Sequence, residues 1–112
     1  MTSRANLYID QGTDFSVDID IYADDGSIID ISNTSFTGDA KKVFSSAKVF
    51  SFSMDKIDPT QGKLEIRLSA NTSANIVPGK YQYDIVMTSG SNVKSKILEG
   101  LVFIVATMTD VG

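Results

Sequence analysis

Five aspartates lie between residues 18 and 30, and carboxylates at this density could bind a hard cation such as calcium. They are Asp18, Asp20, Asp24, Asp25 and Asp30. Their spacing does not fit a calcium loop of the EF-hand type, because the segment "DIDIYADDGSII" ends in two isoleucines and contains no glutamate. The first two also lie about 7 Å apart if this segment is a strand. We therefore predict no metal site here, and a calcium-dependent adhesion domain is kept only as an alternative.

The composition leaves few groups for catalysis. The chain has no histidine and no cysteine, which removes the usual general base, the thiolate nucleophile and the commonest transition-metal ligands. Paired carboxylates could act on glycosides only if two of them faced each other across a cleft with different pKa values. The acids instead fall in patterns typical of strand faces and turns. We predict that the chain is not an enzyme and binds no cofactor.

The charge and hydropathy patterns argue against two classes of partner. The net charge is −4, the sequence pI is about 4.5, and the ten basic residues are scattered along the chain. Nucleic-acid binding depends on clustered lysine and arginine, so it is not expected. No apolar stretch reaches the length of a signal peptide or of a membrane span. We expect synthesis in the cytoplasm and no contact with a membrane.

The acids alternate with apolar residues, which indicates how they are positioned. In "DFSVDIDIY" the residues Phe15, Val17, Ile19 and Ile21 share one side, and the aspartates occupy the other. This period of two is typical of a half-buried strand. The following Asp24-Asp25-Gly26 has the chemistry of a turn. The simplest interpretation of the aspartates is that they form an acidic stripe on the solvent-exposed face of a sheet.

Further strands follow at short intervals. We predict strands at 6–9, at 36–43, through "KVFSFSMD" after a break at Ser45-Ser46, and at 63–68, and a hairpin of "KYQYDIVMT" with "VKSKILEGLVFIVATM".

Three local features complete this pattern. A helical turn in "ANTSANIVPGK" should pin Ile76 and Val77 onto the core. Gly100 is placed where a bulge would shift the register. Tyr81 and Tyr83 occupy the position of a tyrosine corner.

About seven short strands without a helix of ordinary length predict an all-β fold. We predict a single domain over residues 1–112 with the architecture of an immunoglobulin-like antiparallel β-sandwich. A small β-barrel is the alternative, because the period of two does not reveal whether a sheet closes.

The last strand is apolar on both faces near its end. The residues concerned are Leu101, Val102, Phe103, Ile104 and Val105. Such a strand is expected to be covered on both sides, either within its own sandwich or by a neighbouring chain. These five residues form the predicted interface.

The order of motifs resembles a small β-sandwich found in structural proteins of tailed-phage virions. The motifs are "IDQGTDF", the "DDG" turn, "GKLEIRLS", a polar crossover, "PGKYQYDI" and "ILEGLVFIV", and the resemblance spans Asn6 to Val105. The chain is similar to the amino-terminal domain of phage baseplate upper proteins, and more so to short virion proteins of T4-like phages of marine cyanobacteria. The stretch "TGDAKKVFSSAKVFSFSMD" follows the pattern least.

This resemblance implies a non-enzymatic virion structural protein that acts by protein–protein contacts in the neck, tail or baseplate. Its partners would be other virion proteins, with a homo-oligomer as a further possibility, and it would be localised in the virion. None of the shared motifs is catalytic. The alternative is a receptor- or carbohydrate-binding module, which would place Tyr8 and Tyr22 in one exposed patch.

Overall fold

Strands dominate the computed structural model, which describes residues 3–23, 25–43 and 48–107. In chain order the strands are β1 Ser3–Arg4, β2 Leu7–Asp10, β3 Phe15–Asp20, β4 Ser35–Lys42, β5 Lys48–Asp58, β6 Lys63–Leu68, β7 Gly79–Thr88 and β8 Lys94–Val105. A 3-10 turn at Pro59–Gln61 precedes β6, and a short helix, α1 Ala70–Ala74, follows it. Neither helix in these ranges is long and apolar enough to cross a membrane.

The strands form two layers that are joined through β5. The first half of β5, as far as Phe52, pairs with β4, and the second half, from Ser53, pairs with β6. Sheet A therefore contains β1, β2, β8, β7, β4 and the first half of β5. Sheet B contains the second half of β5, with β6 and β3. The register between β5 and β6 shifts between Lys56 and Asp58, and such a bulge increases the local twist of the strand.

This strand pairing is that of an immunoglobulin-like sandwich. One layer holds β4, β7 and β8 as neighbours, and the other holds β5, β6 and β3, as in the two sheets of immunoglobulin domains. In the described part of the chain β3 forms no ladder with β1 or β2, so the curled sheet does not close into a barrel. The predicted all-β sandwich is confirmed.

The amino-terminal segment runs parallel to β8 and is interrupted once. β1 and β2 both pair with β8, and Ala5 and Asn6 lie between them. The Ala5 N–H donates to the Glu99 carbonyl at 3.0 Å. A Cβ on Gly100 would overlap the Ala5 carbonyl, so only glycine lets the two backbones approach this closely.

The core lies between the sheets and includes a cluster of aromatic rings. Phe50 packs edge-on against Phe52 and Tyr81, and Phe52 packs edge-on against Tyr83. The ring centroids lie 5.5 to 5.8 Å apart. Edge-to-face contacts at this distance add to the stabilisation that burial of the rings provides.

The two tyrosines of this cluster bond to the backbone in different places. The Tyr81 hydroxyl donates to the Val77 carbonyl, which forms the predicted tyrosine corner. The Tyr83 hydroxyl donates to the Ala5 carbonyl at 2.8 Å. Tyr83 therefore anchors the amino-terminal segment to the rest of the sandwich.

Two local predictions are wrong. Val77 is 66% exposed, and only Ile76 enters the core, because the residue before Pro78 favours an extended backbone in which consecutive side chains point in opposite directions. The bulge in β8 lies at Ile97, where the register with β7 shifts, whereas Gly100 pairs directly with Tyr83. Gly100 is required by the approach of the amino-terminal segment and not by a bulge. The predicted break at Ser45-Ser46 lies outside the described residues.

The other predicted strands are confirmed with small changes in their ends. In β3 and β6 the apolar side chains face the core and the charged ones face outward, as the alternation requires. The hairpin of β7 and β8 is also present, and in its turn the Asn92 N–H donates to the Ser89 carbonyl. β5 is longer than predicted, because its pairing with β6 extends to Asp58.

Substitution of Gly100 by Ala should destabilise the fold by about 3 kcal/mol or more, at the upper end of overpacking costs. The reason is that the new Cβ meets backbone that cannot move without breaking the pairing of the amino-terminal segment with β8. Urea unfolding would measure the loss. Gly26→Ala is the control, since Gly26 has a positive φ but open space around it, and its cost should be about 1–2 kcal/mol. Equal losses would contradict this account of Gly100.

Tyr83 should make stability depend on pH in alkaline solution. Burial raises the pKa of the Tyr83 hydroxyl to about 12 from an ordinary value of 10.0. The unfolded chain therefore loses this proton first, and the free energy of unfolding should fall as the pH rises from 10.0 to about 12. Urea unfolding across this range should show a shallower fall for Tyr83→Phe. An unchanged slope in Tyr83→Phe would refute the prediction.

Candidate functional site

The outer surface of sheet B carries the acidic stripe, here called the acidic face. Its charged side chains are Asp18, Asp20, Asp55, Asp58, Lys63, Glu65 and Arg67. The strand pairing places Asp18, Glu65 and Asp55 in one row across the three strands. These positions follow from the period of two, and they confirm that the aspartates of β3 point away from the core.

Two cations contact three of the acids on this face. The Lys63 Nζ lies 3.0 Å from the Asp20 carboxylate, and this hydrogen bond raises the pKa of Lys63. The Arg67 guanidinium contacts Asp55 at 2.7 Å and Glu65 at 3.4 Å. Asp18 makes no hydrogen bond or ion pair with the described part of the chain. A carboxylate without a partner therefore lies on β3, at the edge of the sheet.

The remaining aspartates of the opening segment form turns. The Asp25 carboxylate accepts hydrogen bonds from the Ser27 hydroxyl and N–H, and Asp30 does the same with Ser32. In both turns the hydroxyl and then the N–H lower the pKa of the aspartate. Among residues 3–23, 25–43 and 48–107, no three acidic side chains come together in a way that could hold a metal. Asp24 lies outside these ranges.

The five residues of the predicted interface are divided between two environments. Val102 and Ile104 are buried in the core, whereas Leu101 and Phe103 are half-buried on the outer surface of sheet A. Val105 is 44% exposed on that same side. One apolar face of this strand is therefore covered by its own sandwich, and the other face is covered only in part. The use of the other face as an interface stays a prediction.

Tyr8 lies over the outward-facing side of β8. It pairs with Phe103 across the parallel ladder, and the two rings stack with centroids 4.9 Å apart and an interplanar angle of 11°. Tyr8 is nevertheless 66% exposed. We call the four residues Tyr8, Leu101, Phe103 and Val105 the outer patch. It joins an aromatic pair to aliphatic neighbours on an exposed sheet surface.

A shallow polar depression adjoins the outer patch on sheet A. It has a volume of about 460 Å³, and both signs of charge line it: Arg4, Lys41 and Lys96 with Asp39, Asp84 and Glu99. The Glu99 carboxylate lies 3.9 Å from the Arg4 guanidinium, and the Asp84 carboxylate lies 3.8 Å from the Lys96 Nζ. Leu101 lines both the depression and the patch. The outer surface of sheet A thus changes from an apolar patch to a region of mixed charge. Protein interfaces have the same arrangement, with an apolar centre and a polar rim.

An apolar groove opens between β3 in sheet B and the neighbouring ends of β7 and β8 in sheet A. Its volume is about 740 Å³, and its apolar lining includes Ile19, Ile29, Met87, Ile97 and Leu98. No pattern in the sequence predicts this groove. The crowded isoleucines near residue 29 are the nearest signal, and periodicity cannot show that the neighbouring sheet leaves them uncovered.

Tyr22 and Tyr8 do not form the shared patch that a receptor- or carbohydrate-binding module would need. Tyr22 is 53% exposed and lines the groove. Tyr8 stacks on Phe103 on the outer surface of sheet A. The two side chains therefore belong to different surfaces.

Comparisons with known proteins yield a structural likeness alone. No protein-family model matches the chain, and no curated protein matches it. Among solved structures it is similar to the fibronectin(III)-like modules of CbhA from Clostridium thermocellum. That match has a TM-score of 0.47 and 12% sequence identity, and it covers 95% of this chain and 93% of the module.

Calcium should leave the stability of this chain unchanged. The described aspartates of the opening segment are engaged by lysine and serine, or lie singly on a strand, so no set of oxygens surrounds a cation. Thermal melts in millimolar calcium and in EDTA should therefore coincide, with magnesium as the control ion. A bound ion would stabilise the folded chain by mass action. A rise of several degrees that depends on calcium concentration would restore the adhesion-domain alternative.

Proposed function

We propose that this chain is a non-enzymatic structural protein of a phage virion, which acts through protein–protein contacts in the neck, tail or baseplate. The observation that carries the proposal is the outer patch. Tyr8 and Phe103 form a stacked aromatic pair on the last strand, beside Leu101 and Val105, and Tyr8 is largely exposed. The sequence motifs resemble those of phage virion proteins, and this resemblance indicates the kind of assembly in which such a contact would be made.

The composition of the outer patch suits a protein partner. Tyrosine and phenylalanine are enriched at the centres of protein interfaces, where few residues carry most of the binding energy. The polar depression beside the patch would act as the rim, because its paired charges can be shared with a partner. A rigid sheet surface also loses little conformational entropy when it binds.

A structural role agrees with the chemistry of the chain. It contains no histidine or cysteine, and the carboxylates of the acidic face and of the depression contact cations or hydroxyl groups or, like Asp18, point into solvent. Symmetric assemblies repeat one contact many times, so a modest apolar patch on a small domain can contribute at every copy.

The first experiment is mass spectrometry of purified particles produced from the genome that encodes this chain. The chain should be present in the particles in a fixed ratio to other structural proteins. Its absence from purified particles would overturn the virion role.

The second experiment tests the outer patch. Tyr8→Ser should reduce incorporation of the chain into particles by about tenfold or more, since interface hot spots lose at least that much on truncation. Val93→Ser is the control, because Val93 is 60% exposed just before β8 and belongs neither to the outer patch nor to the lining of the apolar groove. Thermal melts of both variants would verify that they fold. Equal incorporation of the two variants would show that the patch is not the contact.

A further inference from the structure

One edge of sheet B is open among the described strands. In this part of the chain β3 pairs with β6 and with no strand on its other side. The Ile21 N–H donates to the Gly62 carbonyl, and this bond fixes the alternation along the antiparallel ladder. The backbone groups of Ser16, Asp18 and Asp20 must therefore point away from β6. Each of these residues offers one N–H donor and one carbonyl acceptor to an added strand.

The core-facing side of this edge is apolar and incompletely covered. Phe15, Val17 and Ile19 are half-buried, although their partners on β6 are buried. At the end of β3 the exposed part of Ile19 continues into the apolar groove, whose volume is about 740 Å³. An added strand would therefore find backbone partners along β3 and apolar surface to cover.

The charge on the outward-facing side is unbalanced at this same edge. Arg67 and Lys63 lie on β6 and contact acids of β3, β5 and β6. Asp18, in the middle of β3, is paired across the ladder with Glu65 and not with a cation. A side chain on an added strand would lie beside Asp18, where a positive charge would be favourable and a negative one would not.

We propose that the free edge of β3 binds an extended segment of a partner protein, in which apolar residues alternate with lysine or arginine. The inference rests on the proposed function, and it names the chemistry of one partner. The segment adds a strand to sheet B. Its apolar side chains cover Val17, Ile19 and the mouth of the groove, and its basic side chains lie beside Asp18 and Asp20. Strand addition of this kind is a common mode of peptide recognition.

A second copy of the chain fits this edge poorly. If two β3 strands paired with each other, the aspartates of one would lie beside the serine and aspartates of the other on the same face. Like charges in such positions are destabilising. The edge therefore disfavours its own copy and favours a basic strand, which is a form of specificity by repulsion.

The test uses the full chain and a synthetic peptide of about eight residues in which valine alternates with lysine. Amide hydrogen exchange measured by NMR should show new protection at Ser16, Asp18 and Asp20 when the peptide is added. The amides of Val17 and Ile19 should be protected already, because they face β6. A peptide in which glutamate replaces lysine is the control and should give no protection. No binding of the lysine peptide, or protection confined to other strands, would overturn the proposal.

Two variants separate the backbone contribution from the charge contribution. Ser16→Pro removes an outward N–H and keeps the charge, and proline is tolerated at a strand edge in this position. Asp18→Lys reverses the charge that lacks a partner. Each should weaken binding of the lysine peptide by about tenfold or more. Asp10→Lys, with the same change of charge on β2, should weaken it by less than about threefold. If neither edge variant weakened binding, the peptide would not be adding to β3.

The same measurements distinguish this inference from the proposed function. Tyr8→Ser should leave peptide binding unchanged, because the outer patch lies on sheet A. If the peptide fails to bind at β3 while Tyr8→Ser still reduces incorporation into particles, the edge inference fails and the proposed function stands. Light scattering provides a further outcome: a dimer that Ser16→Pro converts to a monomer would mean that the edge binds a second copy, and it would overturn the proposal.

Discussion

The close approach of Ala5 to Gly100 is the constraint on which the rest of the structure depends. It holds the amino-terminal segment parallel to β8, with the Tyr83 hydroxyl donating to the same Ala5 carbonyl. Because β1 and β2 pair with β8, they do not pair with β3. The same constraint places Tyr8 over Phe103 and leaves the edge of sheet B open in the described part of the chain. One long-range backbone contact thus decides the surroundings of both candidate surfaces.

The two sheets present different surfaces as a result. The outer surface of sheet A combines an aromatic pair with a depression in which charges of opposite sign lie close together. The outer surface of sheet B is acidic, and its carboxylate without a partner lies on the open edge strand. The exposed ion pairs on these two surfaces add little to stability, about 0–1 kcal/mol each. Their larger effect is on which partners can approach each surface.

Much of the fold could be predicted from the sequence, because alternation directly reports which side of a strand is buried. The strand faces in β3 and β6, the hairpin and the tyrosine corner are all predicted correctly. The position of Val77 and the role of Gly100 are predicted wrongly. The role of Gly100 comes from a distant part of the chain, about which a local pattern carries no information. The groove between the sheets was missed for the same reason.

The sequence by itself determined the all-β class, the outward position of the aspartates and the lack of histidine and cysteine chemistry. Those properties depend on residue type and on a period of two, which act over a few neighbouring residues. Only the tertiary structure decided that Val102 and Ile104 belong to the core while Phe103 is covered by Tyr8. It also decided that β3 is an open edge among the described strands. Strand order depends on long-range pairing, and an apolar strand has the same local pattern at an edge as at the centre of a sheet.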